Sequence, residues 1–103
     1  MKLKGTHHVA LLTRNFVEME KFYTETLGFP VVRRWDDIGF VFIDIGSTTI
    51  ELINQPEAPP PNSQPGPFDH LALHVDDMDV AFQELVAKGV RIKSEPRTFK
   101  ELR

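Results

Sequence analysis

The 103-residue chain contains no cysteine. That excludes a disulfide framework, a thiolate nucleophile and a thiolate metal site, so any metal must be held by imidazole and carboxylate. A basic excess is also missing: 12 Lys and Arg stand against 15 Asp and Glu, for a formal net charge of −3. Nucleic acid and polybasic membrane docking both reward positive surfaces, so neither partner is expected. Long apolar runs are absent too. The opening Met1-Lys2-Leu3-Lys4-Gly5 lacks the apolar stretch of a signal peptide, and no segment approaches membrane-spanning length. The expected location is the cytoplasm. What is present is ordinary for a globular protein, 41% hydrophobic and 26% charged residues, with room for one compact domain or two small modules.

Six of the eight prolines fall between Pro56 and Pro67. Such a stretch joins neither a helix nor a central strand and reads as a stiff linker. It divides the chain into a first module, 1–55, and a second, 68–103. The two begin alike: His8-Val9-Ala10-Leu11 recurs as His70-Leu71-Ala72-Leu73, 62 residues later. Each is followed by a helical pattern closed by glycine, at Leu27-Gly28-Phe29 and at Lys88-Gly89-Val90, where the offset is 61. The copies therefore slip by one residue within the helix. An internal repeat fixes which positions are structurally equivalent, so it precedes any single-residue motif.

Module one reads as strand, helix and three strands. Residues 6–12 are rich in strand formers. Asn15 suits the N-cap of a helix over 16–27, with Glu18 in the capping-box position, and Met19, Phe22, Tyr23 and Leu27 form its apolar stripe. Gly28 suits the left-handed residue that ends it. Strands follow at 30–35, 39–45 and 48–54, the last two joined by a turn at Gly46-Ser47. Module two repeats the opening with a strand at 68–75, a cap at Asp76 or Asp77, a helix to about 88 and a strand near 90–94. It then stops two strands short. The fold class is α+β, built of βαβββ modules.

All four histidines of the chain sit at the two equivalent first strands. Alternation places His8, Ala10 and Leu12 on one face and His7, Val9 and Leu11 on the other. The aliphatic set suits the helix side, so His8 and His70 are expected on the uncovered face, and His7 on the covered one. His74 occupies the equivalent of Leu12 and is a weaker candidate for lining the cavity. In Thr48-Thr49-Ile50-Glu51-Leu52-Ile53, Ile50 and Leu52 belong on the helix side and Glu51 on the other. A carboxylate flanked by aliphatic residues is costly to bury unless something pairs with it. Two imidazoles and a carboxylate on one sheet face make a donor set for a divalent cation with open positions. Each of the three residues alone more often plays a bland part, as a hydrogen-bonded strand residue or ion-pair partner; their coincidence favours ligation.

These segments, together with Phe22-Tyr23-Thr24-Glu25-Thr26-Leu27-Gly28-Phe29 and Phe68-Asp69-His70-Leu71-Ala72-Leu73 followed by Asp76-Asp77, resemble the glyoxalase/bleomycin-resistance/extradiol-dioxygenase superfamily, the vicinal oxygen chelate proteins, and most of all those of the lactoylglutathione lyase type. The resemblance covers nearly the whole chain. It implies two βαβββ modules paired into a cupped mixed sheet around a divalent metal (Zn, Ni, Fe, Mn or Co), with His8, Glu51 and His70 as ligands. It also implies a fourth ligand, a glutamate on the last strand of module two, whose equivalent would lie about position 113, beyond Arg103.

The resemblance further implies a metal-dependent lyase or isomerase acting on a small hydroxy-carbonyl or thiol adduct through an enediolate, with Glu51 as the proton carrier. The competing readings are a metal-free ligand-sequestering module of the bleomycin-resistance kind, a thiol-transferring resistance enzyme and an extradiol dioxygenase. Arg14, Arg33 and Arg34 could bind an anionic substrate, but surface arginines are common and none is assigned a role. Trp35 with Phe40 or Phe42 could line an apolar pocket or simply pack in the core. A homodimer is expected, because a module lacking two strands would expose unpaired edges.

Overall fold

The computed structural model describes residues 1–60 and 70–97. The expected linker from Pro61 onward and the start of the expected strand at 68–75 lie outside the described residues. The chain forms two compact units, 1–64 and 65–103, and each is taken by itself.

In the first unit the order is β1 (His8–Thr13), α1 (Phe16–Lys21) running on into a π-helical turn (Phe22–Thr26), β2 (Val31–Trp35), β3 (Phe40–Asp44) and β4 (Thr49–Asn54). The strands make one mixed sheet in the order β1-β4-β3-β2, with β1 parallel to β4 and the other pairs antiparallel. The fold is α+β. Alternation along β3 and β4 decides the packing. Val41, Ile43, Ile50 and Leu52 are wholly buried on the side where α1 packs against β4. Phe40, Phe42 and Thr49 are half-buried on the other side. Tyr23 is buried too, and that burial pushes its phenol above the usual range. The helix is tied to β2 by Arg34, whose guanidinium donates to both Glu20 carboxylate oxygens at 2.9 and 3.0 Å and to Asp36 at 2.9 Å. The hydrogen bonds to Glu20 and then to Asp36 raise the guanidinium's already high pKa.

The expected helix over 16–27 is α-helical only to Lys21. The Thr24 hydroxyl donates to the Glu20 carbonyl at 2.8 Å, occupying the acceptor that an α-helix would offer to the Thr24 amide. The ladder then widens, and the Leu27 amide reaches back five residues to the Phe22 carbonyl. Gly28, at φ +83°, ends the turn. The expected capping box is not made. The Asn15 side chain makes no cap hydrogen bond, and its backbone amide, which Glu18 would meet in a capping box, donates to the Thr13 hydroxyl at 2.9 Å instead.

In the second unit α2 spans Met78–Ala87, and the Asp77 carboxylate accepts from the Val80 amide at 3.0 Å. Its end is a Schellman motif: Val90 donates to Leu85 and Gly89, at φ +75°, donates to Val86. The expected strands at 68–75 and 90–94 are not formed among the described residues; 70–75 and 90–94 take up no ladder. β-rich composition makes a strand only where a partner supplies the hydrogen bonds. β1 has β4 beside it, whereas no described residue pairs with 70–75.

Leu52→Ala should lower unfolding free energy by about 2–5 kcal/mol, the range for truncating a fully buried leucine. Leu12→Ala, at 60% exposure on the opposite face, should stay within about 0.5 kcal/mol. Urea midpoints of the two variants beside the parent chain check the facing of the sheet.

Candidate functional site

Glu51 lies mid-strand in β4, between the buried Ile50 and Leu52, and so points to the face that the helix leaves uncovered. It is itself only 9% exposed. An unpaired carboxylate at such a position would lose most of its hydration without compensation. The group that meets it is His8 at the start of β1, where Nε2 stands 3.4 Å from Glu51 Oε1. The parallel register sets His8 opposite Thr49 and Ala10 opposite Glu51, so the imidazole reaches diagonally across one strand gap. His8 also lies edge-on to Phe42, with ring centroids 5.5 Å apart, and Phe42 is the direct antiparallel partner of Glu51.

A cleft of about 460 Å³ opens beside this pair, lined by His7, Val32, Arg33, Trp35, Phe42 and Thr49. Trp35 stands edge-on to Phe42 at 5.5 Å, and the Arg33 guanidinium lies over the Trp35 ring, 5.3 Å from its centroid. His8, Phe42 and Trp35 therefore form an aromatic chain across the open face, from the Glu51 side to β2.

His7 departs from expectation. It was placed on the covered face by alternation, yet it lines the cleft, with its Nδ1 2.8 Å from His8 Nδ1 and the two rings edge-to-face at 5.1 Å. The reason is local: β1 begins at His8, so His7 is not bound by the two-residue period of the strand. Of the three expected ligands, the first unit brings His8 and Glu51 together. His70 belongs to the second unit, where it is exposed at the head of the non-ladder segment. His74 lines a separate hollow of about 450 Å³ with Leu73, Val75 and Asp76 to Asp79. Among the described residues no group of three histidine or acidic side chains is drawn into a ligand cage. His8 and Glu51 offer a neutral nitrogen and an anionic oxygen, a fitting donor pair for a borderline divalent cation that would need further ligands.

The model of the Glyoxalase/Bleomycin resistance protein/Dioxygenase superfamily matches residues 5–102. The chain belongs to this superfamily. The uncharacterised protein YwkD of Bacillus subtilis is 34% identical over 110 residues, covering 97% of this chain and 86% of YwkD. Mitochondrial methylmalonyl-CoA epimerase of Bos taurus is 28% identical over 99 residues, covering 86% of this chain and 57% of the epimerase. A crystal structure of a glyoxalase/bleomycin resistance protein/dioxygenase from Nocardioides superposes with a TM-score of 0.73 at 20% identity, over 97% of this chain and 72% of that one. At that identity the likeness speaks to the fold. Superfamily members bind small molecules and typically use divalent metals, and no helix of the described residues is long and apolar enough to cross a membrane.

Two cleft residues escaped the sequence. Arg33 was one of three arginines with no role assigned, and the signal that singles it out is its cross-strand pairing with Phe42. His7 carried no signal, since its position depends on where β1 begins.

Two imidazole Nδ1 atoms in hydrogen-bond contact require that one carry the hydrogen and the other accept it. Nitrogen-detected imidazole NMR of the metal-free protein, with both rings neutral, should show one protonated and one bare Nδ1 at this pair. His7→Phe should remove the hydrogen bond at His8 Nδ1 while leaving Nε2 against Glu51. Spectra of two independent imidazoles in the parent protein would remove the contact.

Proposed function

We propose that the chain is a metal-dependent lyase or isomerase of the glyoxalase type, in which Glu51 moves a proton at a carbon adjacent to a carbonyl. The observation that carries this reading is the near-complete burial of Glu51 on the open sheet face, with His8 against it and a cleft alongside. A carboxylate retained there at a desolvation cost is suited to base chemistry. His8, Glu51 and His70 would hold the cation. The chemistry that a divalent ion supplies in such a setting is polarisation of a carbonyl oxygen and compensation of the charge developing on it.

The residues of the chain supply the rest. Glu51 has two oxygens, so contact through one leaves the other to accept the proton from carbon. The walls formed by Phe42 and Trp35 keep the apolar part of a small substrate out of water beside it. Return of the proton to the neighbouring carbon is isomerisation, as expected for a hydroxy-carbonyl or hemithioacetal. Delivery of a solvent-derived proton to the other side of the same carbon, with Glu51 giving the proton it took to solvent, is epimerisation, a second reading favoured by the 28% identity to methylmalonyl-CoA epimerase. Both start with the same abstraction.

Glu51→Gln keeps the shape of the side chain and removes its charge and basicity. Metal affinity should fall moderately, turnover should drop by on the order of 10²–10⁴-fold, and stability should barely change. Metal stoichiometry, hemithioacetal isomerisation and solvent deuterium exchange into a thioester substrate check this on the parent and variant proteins. Full turnover and full metal content in Glu51→Gln would sink the reading.

A homodimer belongs to the same proposal. β1 and β2 are the outer strands of the sheet, and every residue of β2, including Val31 and Val32, is exposed. An open apolar edge of this kind is ordinarily covered in solution. Light scattering at micromolar concentration should give twice the chain mass; a monomer would refute it.

A further inference from the structure

Arg33, Phe42, Glu51 and Ala10 lie in one row across the sheet: Arg33 pairs with Phe42, Phe42 with Glu51, and Glu51 with Ala10. Residues of one cross-strand row share a face. Two strand spacings, roughly 10 Å at the backbone, separate Glu51 from Arg33, and the Phe42 ring lies between them. The open face thus carries a carboxylate, an aromatic ring and a cation in one row, the ring and the cation lining the cleft and the carboxylate standing next to it.

The two neighbouring arginines differ in how their charge is met. Arg34 faces the helix side and is neutralised by Glu20 and Asp36. Among the described residues no carboxylate pairs with Arg33, whose guanidinium instead rests on the Trp35 ring. An aromatic face orients the planar fork without consuming its hydrogen-bond donors. Those donors are the usual bidentate partners of a carboxylate or phosphate.

We propose that Arg33 is the specificity-determining residue of the cleft and receives an oxyanion, carboxylate or phosphate, carried by the substrate beyond a short apolar span from its reacting carbon. This rests on the reading of Glu51 as the group at the reacting end. The substrate is accordingly a small anion-bearing carbonyl compound, lying along the row with its apolar middle over Phe42. A neutral carbonyl compound of equal size would leave the guanidinium unanswered and bind more weakly.

The chain holds a single tryptophan, and it is the residue on which Arg33 rests, so its fluorescence reports on this end of the cleft without metal or turnover. The metal-free full chain is titrated at constant ionic strength with succinate, inorganic phosphate and chloride. The parent protein should show a saturable change with succinate or phosphate and none with chloride, and whichever binds more tightly identifies the oxyanion. Arg33→Met should weaken that binding roughly 10- to 100-fold, the loss that follows removal of a charge-assisted hydrogen bond. Arg33→Lys, which keeps the charge without the fork, should fall between, and Arg14→Met, outside the cleft, should titrate as the parent does. No saturable response in the parent, equal response to chloride, or unchanged affinity in Arg33→Met with native circular dichroism would each overturn the proposal. Because the readout does not pass through Glu51, these results stand apart from the turnover of Glu51→Gln.

Discussion

β4 is the strand against which the rest of the first unit is registered. It lies between β1 and β3, and over Thr49 to Leu52 polar side chains alternate with aliphatic ones that must be buried. Ile50 and Leu52 are wholly buried on the helix side, and shifting the pairing by one residue would turn both to the open face. That hydrophobic requirement, worth several kcal/mol for two such side chains, is far stronger than any preference of the carboxylate between them. Glu51 is therefore held where it is by its neighbours. His8 then finds it because the parallel register with β1 is fixed by the same packing.

The open face follows from this arrangement. The row through Glu51 carries Phe42 and Arg33 with it, and Trp35, two positions along β2, joins Val32, Thr49 and His7 in the remaining wall. Packing energy is stored on one side of the sheet and chemistry is displayed on the other, so substitutions on the two sides act on different properties. The family to which the chain belongs is shown by its sequence, while the reaction depends on the few side chains that this face presents.

How much of this was legible in the sequence depended on whether the governing rule was local. The four strands of the first unit, the facing of Ile50 and Leu52 and the meeting of His8 with Glu51 all follow from two-residue alternation, and they are found within one or two residues of expectation. His7 defeated the same rule because it lies just before the strand whose period was applied to it. The strands expected at 68–75 and 90–94 carry good strand composition, but ladder formation is a property of pairs, and a single segment cannot announce its partner. Arg33 was visible only as one arginine among several until the antiparallel register set it opposite Phe42. Asn15 has the residue type of a cap, yet the backbone amide that Glu18 would meet is taken by the Thr13 hydroxyl.

The π-helical turn bears on the spacing of the two helix-ending glycines. Gly28 follows His8 by 20 residues, whereas Gly89 follows His70 by 19, so the first helix carries one residue more than its counterpart. In a regular α-helix one added residue rotates everything beyond it by about 100°, which would redirect the entry into β2. Widening a single turn over Phe22–Thr26 takes up the surplus where it arises. Tyr23 stays buried and the glycine at the end keeps its left-handed conformation, as in the other copy. A helix can in this way carry one more residue while both of its ends remain in place.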